Sequence, residues 1–85
     1  MSEPKLIKKL SRGAVPMFVI YDHPNDAPDG FVVRIWTVVD TMVMPGKLIA
    51  INLLDLAAAR AYVPHGFVSI GRMPDDDPKI VEVWI

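Results

Sequence analysis

The chain has 85 residues, of which 52% are hydrophobic and 22% charged, with a formal net charge of −1 and no cysteine. This length and composition fit one small globular domain, because disordered chains are poor in apolar residues and carry high net charge. The lack of cysteine excludes disulfides, a thiolate nucleophile and a cysteine zinc site, and no apolar run approaches the roughly 18 residues of a membrane span. The near-neutral charge also disfavours nucleic acid as a partner.

Residues 1–16 differ from the rest and are predicted to form a basic N-terminal helix or arm. Leu6, Ile7 and Leu10 share one helical face, and Gly13 is a natural stop. A helix this short is marginal alone in water, so it either docks or stays an arm. Its basic residues lie mostly on other faces: Lys5, Lys8, Lys9 and Arg12.

From residue 17 onward the pattern is that of a sheet. Residues 17–21 are a short run of β-formers. Residues 22–30 hold two prolines, a glycine and three aspartates, which predicts a loop. Residues 31–39 alternate between two sets of side chains and form the clearest predicted strand. Pro45-Gly46 then predicts a turn.

The second half of the chain predicts one more helix among strands. Asp55 is the preferred helix cap, because it leaves Leu56, Ala59 and Val63 on one stripe. Residues 73–78 carry turn chemistry. The remaining elements are predicted as strand, helix, strand and strand at residues 47–54, 55–63, 67–72 and 79–85.

These elements predict an α+β fold. Most connections are short enough for antiparallel neighbours, which favours a small antiparallel sheet of four to five strands. One main helix is expected to pack on one face of the sheet, with a short N-terminal helix in addition. Residues 17–85 then form a single domain, preceded by the segment 1–16.

Three stretches of the sequence carry a resemblance to a known group. They are YDHPNDAPDGFVVRIW (21–36), AARAYVPHG (58–66) and PDDDPKIVEVWI (74–85). In these the chain resembles short proteins of bacteria and their phages that have no assigned activity. The resemblance covers residues 17–40 and 55–85. It implies the same order of hairpin, helix and hairpin and a bacterial or phage setting, and it transfers no catalytic or binding residue.

Two acidic segments are candidate metal sites, because carboxylates and histidine bind divalent cations. The spacing of neither fits an EF-hand loop. Asp beside Pro and Gly is also ordinary turn chemistry, so a turn is the simpler interpretation of both. If folding joined them, a metal-dependent phosphate-ester hydrolase would be conceivable. The residues are Asp22, His23, Asp26 and Asp29 in the first segment, and Asp75, Asp76 and Asp77 in the second.

Two strands each place one charge and one tryptophan two residues apart. Arg34 and Trp36 share a face of their strand, and Glu82 and Trp84 share a face of theirs. If the two faces coincide, these four residues form a binding patch, because Trp and Arg are enriched at interaction hot spots. The alternative is that the N-terminal helix covers this face and both tryptophans belong to the core. We refer to the four residues as the tryptophan patch.

The sequence favours a non-enzymatic protein-binding or regulatory module, because it contains no recognisable catalytic motif. The expected partner is another protein, a homo-oligomer is compatible with the sequence, and no cofactor or membrane is expected. The cysteine-free chain fits the cytoplasm. Two alternatives stay open: the hydrolase built on the acidic segments, and a nucleic-acid accessory protein using the basic segment 1–16.

Overall fold

The structure is a four-stranded antiparallel sheet with one short helix. A computed structural model describes residues 14–39, 42–72 and 77–85, so the predicted N-terminal helix lies outside the described residues. The strand order is β3-β2-β1-β4. This sheet-rich architecture is consistent with the predicted α+β class. The elements are β1 (Ala14–Asp22), β2 (Phe31–Val39), β3 (Met42–Leu53), α1 (Leu56–Arg60) and β4 (Ile80–Trp84).

The centre of the sheet is the regular hairpin of β1 and β2. The two strands pair without a register shift from Ala14 opposite Val39 to Asp22 opposite Phe31. β1 therefore begins three residues before its predicted start at residue 17, within the segment predicted as an arm. The loop between the strands is closed by the backbone N–H of His23, which donates to the Gly30 carbonyl at 3.1 Å.

β3 corrects the predicted turn at Pro45-Gly46, because both residues lie inside the strand. The 12 residues of β3 face the 9 of β2, and three register shifts absorb the excess as bulges. Proline is tolerated here because β3 is an edge strand, where a missing N–H costs little. Glycine is required at position 46, because an added Cβ would lie 2.0 Å from the Ile35 carbonyl oxygen.

Helix α1 is shorter than predicted and ends at Arg60 rather than near residue 63. Asp55 caps it as predicted, since Oδ1 accepts a hydrogen bond from the Ala58 N–H at 2.8 Å. The chain then continues in turns, and Pro64 disfavours helical geometry in the residue before it. Among the described residues, no helix is long and apolar enough to cross a membrane.

The predicted strand at residues 67–72 is reduced to one bridge, between Ser69 and Trp84. Val68 and Ile85 nevertheless exchange two backbone hydrogen bonds, at 2.8 and 3.0 Å, and the Ile70 N–H donates to the Val83 carbonyl at 2.9 Å. The segment 68–70 thereby covers the outer edge of β4. Within the described residues, the outer edge of β3 has no such cover.

The core lies on both faces of the sheet, because successive residues of β1 point to opposite sides and Val19 and Ile20 are both fully buried. Side chains of this size contribute about 1.5–3 kcal/mol each when buried. The tyrosine face comprises Met17, Val19, Tyr21, Val32, Trp36, Ile80 and Val83. The helix face comprises Phe18, Ile20, Val33 and Ala59, with Leu56, Phe67 and Trp84 among the half-buried residues packed against it.

Candidate functional site

The tryptophan patch does not exist as one surface, because its two halves lie on opposite faces of the sheet. Cross-strand partners share a face. Trp36 of β2 pairs with Met17, which places Arg34 and Trp36 on the tyrosine face. Trp84 of β4 pairs with Phe18, which places Glu82 and Trp84 on the helix face. The condition under which these four residues would form one patch, that the two faces coincide, is therefore not met.

Trp36 is a core residue with 6% of its surface exposed. Its indole Nε1–H donates to the Tyr21 hydroxyl at 2.9 Å, within the buried tyrosine face. Burial raises the pKa of Tyr21 far above its ordinary value of 10.0. The hydrogen bond from Trp36 and the charge of Arg34 oppose this rise, while the carboxylates of Asp77 and Asp26 add to it. Tyr21 therefore stays a neutral acceptor.

Replacing Tyr21 by Phe is expected to lower the free energy of unfolding by about 1–3 kcal/mol, because the buried Trp36 N–H loses its acceptor. Urea denaturation measures the change. Tyr62→Phe is the matched control, since the Tyr62 side chain is 48% exposed and its loss of one hydroxyl should change little. Equal stabilities of the two variants would show that the buried hydrogen bond contributes nothing.

The helix-face half of the tryptophan patch is an ion-pair clamp between α1 and β4. The Arg60 guanidinium binds the Glu82 carboxylate through Nε, at 3.0 and 3.1 Å from the two oxygens, and through Nη2. Trp84 Nε1–H donates to the same carboxylate at 3.1 Å. The carboxylate of Glu82 and the indole N–H of Trp84 are therefore engaged in contacts within the chain. Arg60 is the partner that the sequence pattern did not reveal.

The Arg60–Glu82 ion pair predicts that the free energy of unfolding falls in acid. The hydrogen bond from Arg60 lowers the pKa of Glu82 below its ordinary value of 4.5. A lowered folded-state pKa means that the stabilisation is complete above the unfolded-state pKa and is lost as pH falls through the lower value. Wild type should therefore exceed Glu82→Gln in stability at pH 7, and this gap should close towards pH 3. Urea denaturation at both values measures it.

Arg60→Gln is the companion variant for this measurement. It removes the other half of the pair, so its stability gap to wild type should close over the same pH range. The double variant with Glu82→Gln should lose little beyond either single change, because one shared interaction is removed. A gap that is independent of pH would contradict the clamp.

The loop that follows β1 holds the first acidic segment, next to the turn that contains Asp77. The backbone N–H of Asp22 donates to the Lys79 carbonyl at 2.7 Å, which brings the two segments together. His23 adopts φ 47°, contacts the Asp22 carboxylate through Nδ1, and stacks edge-on against Phe31 with ring centres 5.6 Å apart. The His23–Asp22 contact is exposed.

Asp77 performs the turn chemistry expected of it. Its carboxylate accepts from the Lys79 N–H at 2.9 Å, and its carbonyl accepts from the Ile80 N–H at 2.9 Å. Asp26 and Asp29 are exposed. Within residues 14–39, 42–72 and 77–85, no group of three or more His, Asp or Glu side chains could hold a metal ion. Asp75 and Asp76 lie outside those residues, as do Lys5, Lys8, Lys9 and Arg12.

The surface feature that the sequence did not reveal is a set of exposed apolar side chains along the edge of β3 and just after it, here called the β3 row. It comprises Met44, Leu48, Ile51 and Leu54, whose exposed fractions are 49, 43, 45 and 89%. Met44 pairs with Thr37 and Leu48 pairs with Arg34, so these two side chains lie on opposite faces of the same edge. The signal was present, since residues 48–54 are all apolar except for Asn52. A continuous apolar run predicts a strand that is buried on both faces. The bulges of β3 instead turn some of these side chains towards solvent.

A second set of exposed apolar side chains lies at the opposite edge of the sheet, around the segment that covers β4. Val68 and Ile70 are 63 and 37% exposed, and Tyr62 follows α1. Their backbone already pairs with β4. Exposed apolar groups that continue along an uncovered edge strand are the stronger indication of an interaction site.

No protein-family model, curated protein or solved structure matches the chain.

Proposed function

We propose that this protein is a small non-enzymatic protein-binding module, and that its binding surface is the β3 row. The supporting observation is that the β3 row continues along one edge strand. Edge strands offer unpaired backbone N–H and C=O groups, and natural proteins ordinarily blunt them with charge or cover. β3 carries bulges, Pro45 and Lys47, and it also exposes apolar side chains along this edge, which would add apolar contact to backbone pairing when a further strand is recognised.

Two of the described carboxylates support binding rather than hydrolysis, because both are engaged in holding the fold. The Glu82 carboxylate is held by Arg60 and Trp84, and the Asp77 carboxylate accepts from the backbone of its own turn. We propose a cytoplasmic module of a bacterium or phage; the absence of cysteine supports the compartment and the sequence resemblance supports the source.

The proposed surface is tested by comparing two matched double variants in affinity capture. Leu48→Thr with Ile51→Thr removes apolar surface from the β3 row and keeps β-propensity. Val68→Thr with Ile70→Thr removes similarly exposed apolar surface elsewhere. Proteins captured from a bacterial lysate by wild type should be lost with the first variant and kept with the second.

Each captured protein is then purified and titrated calorimetrically against all three chains. The β3 variant should weaken binding at least tenfold, which corresponds to about 1.4 kcal/mol. Circular dichroism and thermal melting confirm that both variants are folded. Equal binding by wild type and the β3 variant would refute the β3 row as the binding surface.

A further inference from the structure

The central side chains are buried on both faces of the sheet. On the tyrosine face, Met17, Val19 and Tyr21 are fully buried, and Trp36 is 6% exposed. A sheet face becomes buried only beneath a second layer of structure. On the helix face that layer is α1 and the chain that follows it, up to Phe67. The tyrosine face therefore requires a layer of its own.

The described residues account for only part of that layer. Among them, Ala27 and Ile85 are the partly buried hydrophobic residues that pack against the tyrosine face. Ala27 lies in the loop that joins β1 to β2, whereas Trp36 pairs with Met17 towards the other end of the two strands. Ile85 follows β4, so β1 lies between it and the strand that carries Trp36. The indole of Trp36 therefore needs further cover.

The cover comes from this chain, because the face is buried within a single copy of it. Three stretches lie outside the described residues, namely 1–13, 40–41 and 73–76. The second is Asp-Thr and the third is Met-Pro-Asp-Asp. The first alone combines sufficient length with several apolar side chains. It joins β1 at Ala14, three residues before Met17 and at the same end of the tyrosine face.

We propose that residues 1–13 are the second layer of the tyrosine face and pack against Met17 and Trp36. The inference is independent of the proposed function, which concerns the β3 row. In the predicted N-terminal helix, the basic side chains lie opposite the apolar ones and remain in solvent, which is the arrangement of an amphipathic helix on a sheet. The apolar side chains that make the contact are Leu6, Ile7 and Leu10.

The exposure of the flanking side chains matches a layer one helix wide. Leu48 pairs with Arg34 and therefore lies at the β3 side of the tyrosine face, where it is 43% exposed. Val68 faces Ile85 at the opposite side and is 63% exposed. A helix with its side chains is about 10–12 Å wide, whereas neighbouring strands lie about 4.8 Å apart. One helix therefore covers β2, β1 and β4 and leaves both margins exposed.

The length of the segment fits the area that is buried. From Met17 to Tyr21, β1 extends about 13 Å at roughly 3.3 Å per residue. A helix over residues 2–12 extends about 16 Å at roughly 1.5 Å per residue. Gly13 then lies between the end of this helix and the start of β1, where a glycine favours the change of direction. The basic segment is thereby part of the fold and not a free arm.

Nuclear magnetic resonance of the full-length chain tests the contact directly. Nuclear Overhauser effects are expected between the indole protons of Trp36 and methyl groups of Leu6, Ile7 or Leu10. A mixture of isotope-labelled and unlabelled chains should show none of these effects between copies. Their absence within one chain would overturn the proposal. Their appearance between copies would also overturn it, because the cover would then belong to a second molecule.

A pair of full-length double variants tests the same contact through stability. Leu6→Ser with Leu10→Ser should lower the melting temperature by roughly 10–20 °C, because two buried leucines are lost from a small domain. Lys5→Ser with Lys9→Ser is the matched control, since it introduces the same residue on the opposite helical face. The control should melt close to wild type. Equal melting temperatures of the two variants would refute the packing of the apolar face.

Tryptophan emission locates the effect of the leucine substitutions. In a Trp84→Phe background, Trp36 is the sole tryptophan of the chain. The leucine double variant should shift its emission to the red and increase its quenching by acrylamide, because the indole becomes exposed to water. The lysine double variant should change neither. Unchanged Trp36 emission in the leucine variant would overturn the proposal, and the Overhauser measurement on wild type decides the matter even if that variant does not fold.

Discussion

Removal of residues 83–85 is expected to unfold the protein. Val83 is 1% exposed and pairs with the fully buried Val19 at the centre of the sheet. Ile85 exchanges two backbone hydrogen bonds with Val68, and the Val83 carbonyl accepts from Ile70. The deletion therefore removes part of the tyrosine face, the Trp84 contact of the helix face, and the anchor of the segment that covers β4.

The size of the effect follows from the burial of Val83 alone, which contributes about 1.5–3 kcal/mol. Trp84 and three backbone hydrogen bonds add to this, against the roughly 5–15 kcal/mol that stabilises a whole domain. Far-ultraviolet circular dichroism should show a loss of sheet signal and no cooperative melting transition. An unchanged melting temperature would show that β4 is dispensable.

A point variant separates packing from chain length. Val83→Ala is expected to remain folded but to lose about 2 kcal/mol of unfolding free energy, because it leaves a cavity beside Val19. Val68→Ala is the control, since the Val68 side chain is 63% exposed and its loss should change the unfolding free energy little. Chemical denaturation of both variants gives the comparison.

The elements that local pattern specifies were predicted correctly. β2 occupies residues 31–39 as expected. Its alternation is unbroken, Gly30 comes directly before it and the charged Asp40 directly after it. The Asp55 cap is likewise local, since it depends on one side chain and the backbone three residues on. The four-stranded antiparallel sheet follows from short connections between such elements.

β3 was harder because its register shifts break the period of two on which strand assignment depends. Pro45-Gly46 is a turn signal when read alone. In the structure Gly46 instead permits close approach to Ile35, and Pro45 occupies an edge where its missing N–H is tolerated. The same bulges expose side chains of the apolar stretch 48–54, which its continuous apolar character would predict to be buried.

The four residues of the tryptophan patch do not share a surface, and the reason differs from that for β3. Alternation fixes which residues of one strand share a face, but the relation between two strands depends on register and on which strands are neighbours. β4 pairs with β1 rather than β2, and its register places Trp84 beside Phe18. Those facts depend on the whole chain, so the sequence pattern could not supply them.

Gly46→Ala is expected to be the most destabilising single substitution on β3, with a loss of about 3 kcal/mol. The added Cβ would lie 2.0 Å from the Ile35 carbonyl oxygen and 2.7 Å from its carbonyl carbon, both backbone atoms that no side-chain rotation can move. β3 must then shift away from β2. The Gly46 carbonyl, which accepts from Arg34 Nη1 at 3.2 Å, shifts with it.

Gly66→Ala distinguishes this steric effect from the general cost of replacing glycine. Gly66 has φ 97° and nothing within 4 Å of an added Cβ, so its replacement costs only backbone strain of about 1–2 kcal/mol. Urea denaturation should therefore rank Gly46→Ala as the less stable variant. Hydrogen exchange should show faster exchange of β3 amides in Gly46→Ala alone, because only that substitution separates β3 from β2. Equal losses in the two variants, or undisturbed β3 amides, would mean that β3 does not depend on close approach at Gly46.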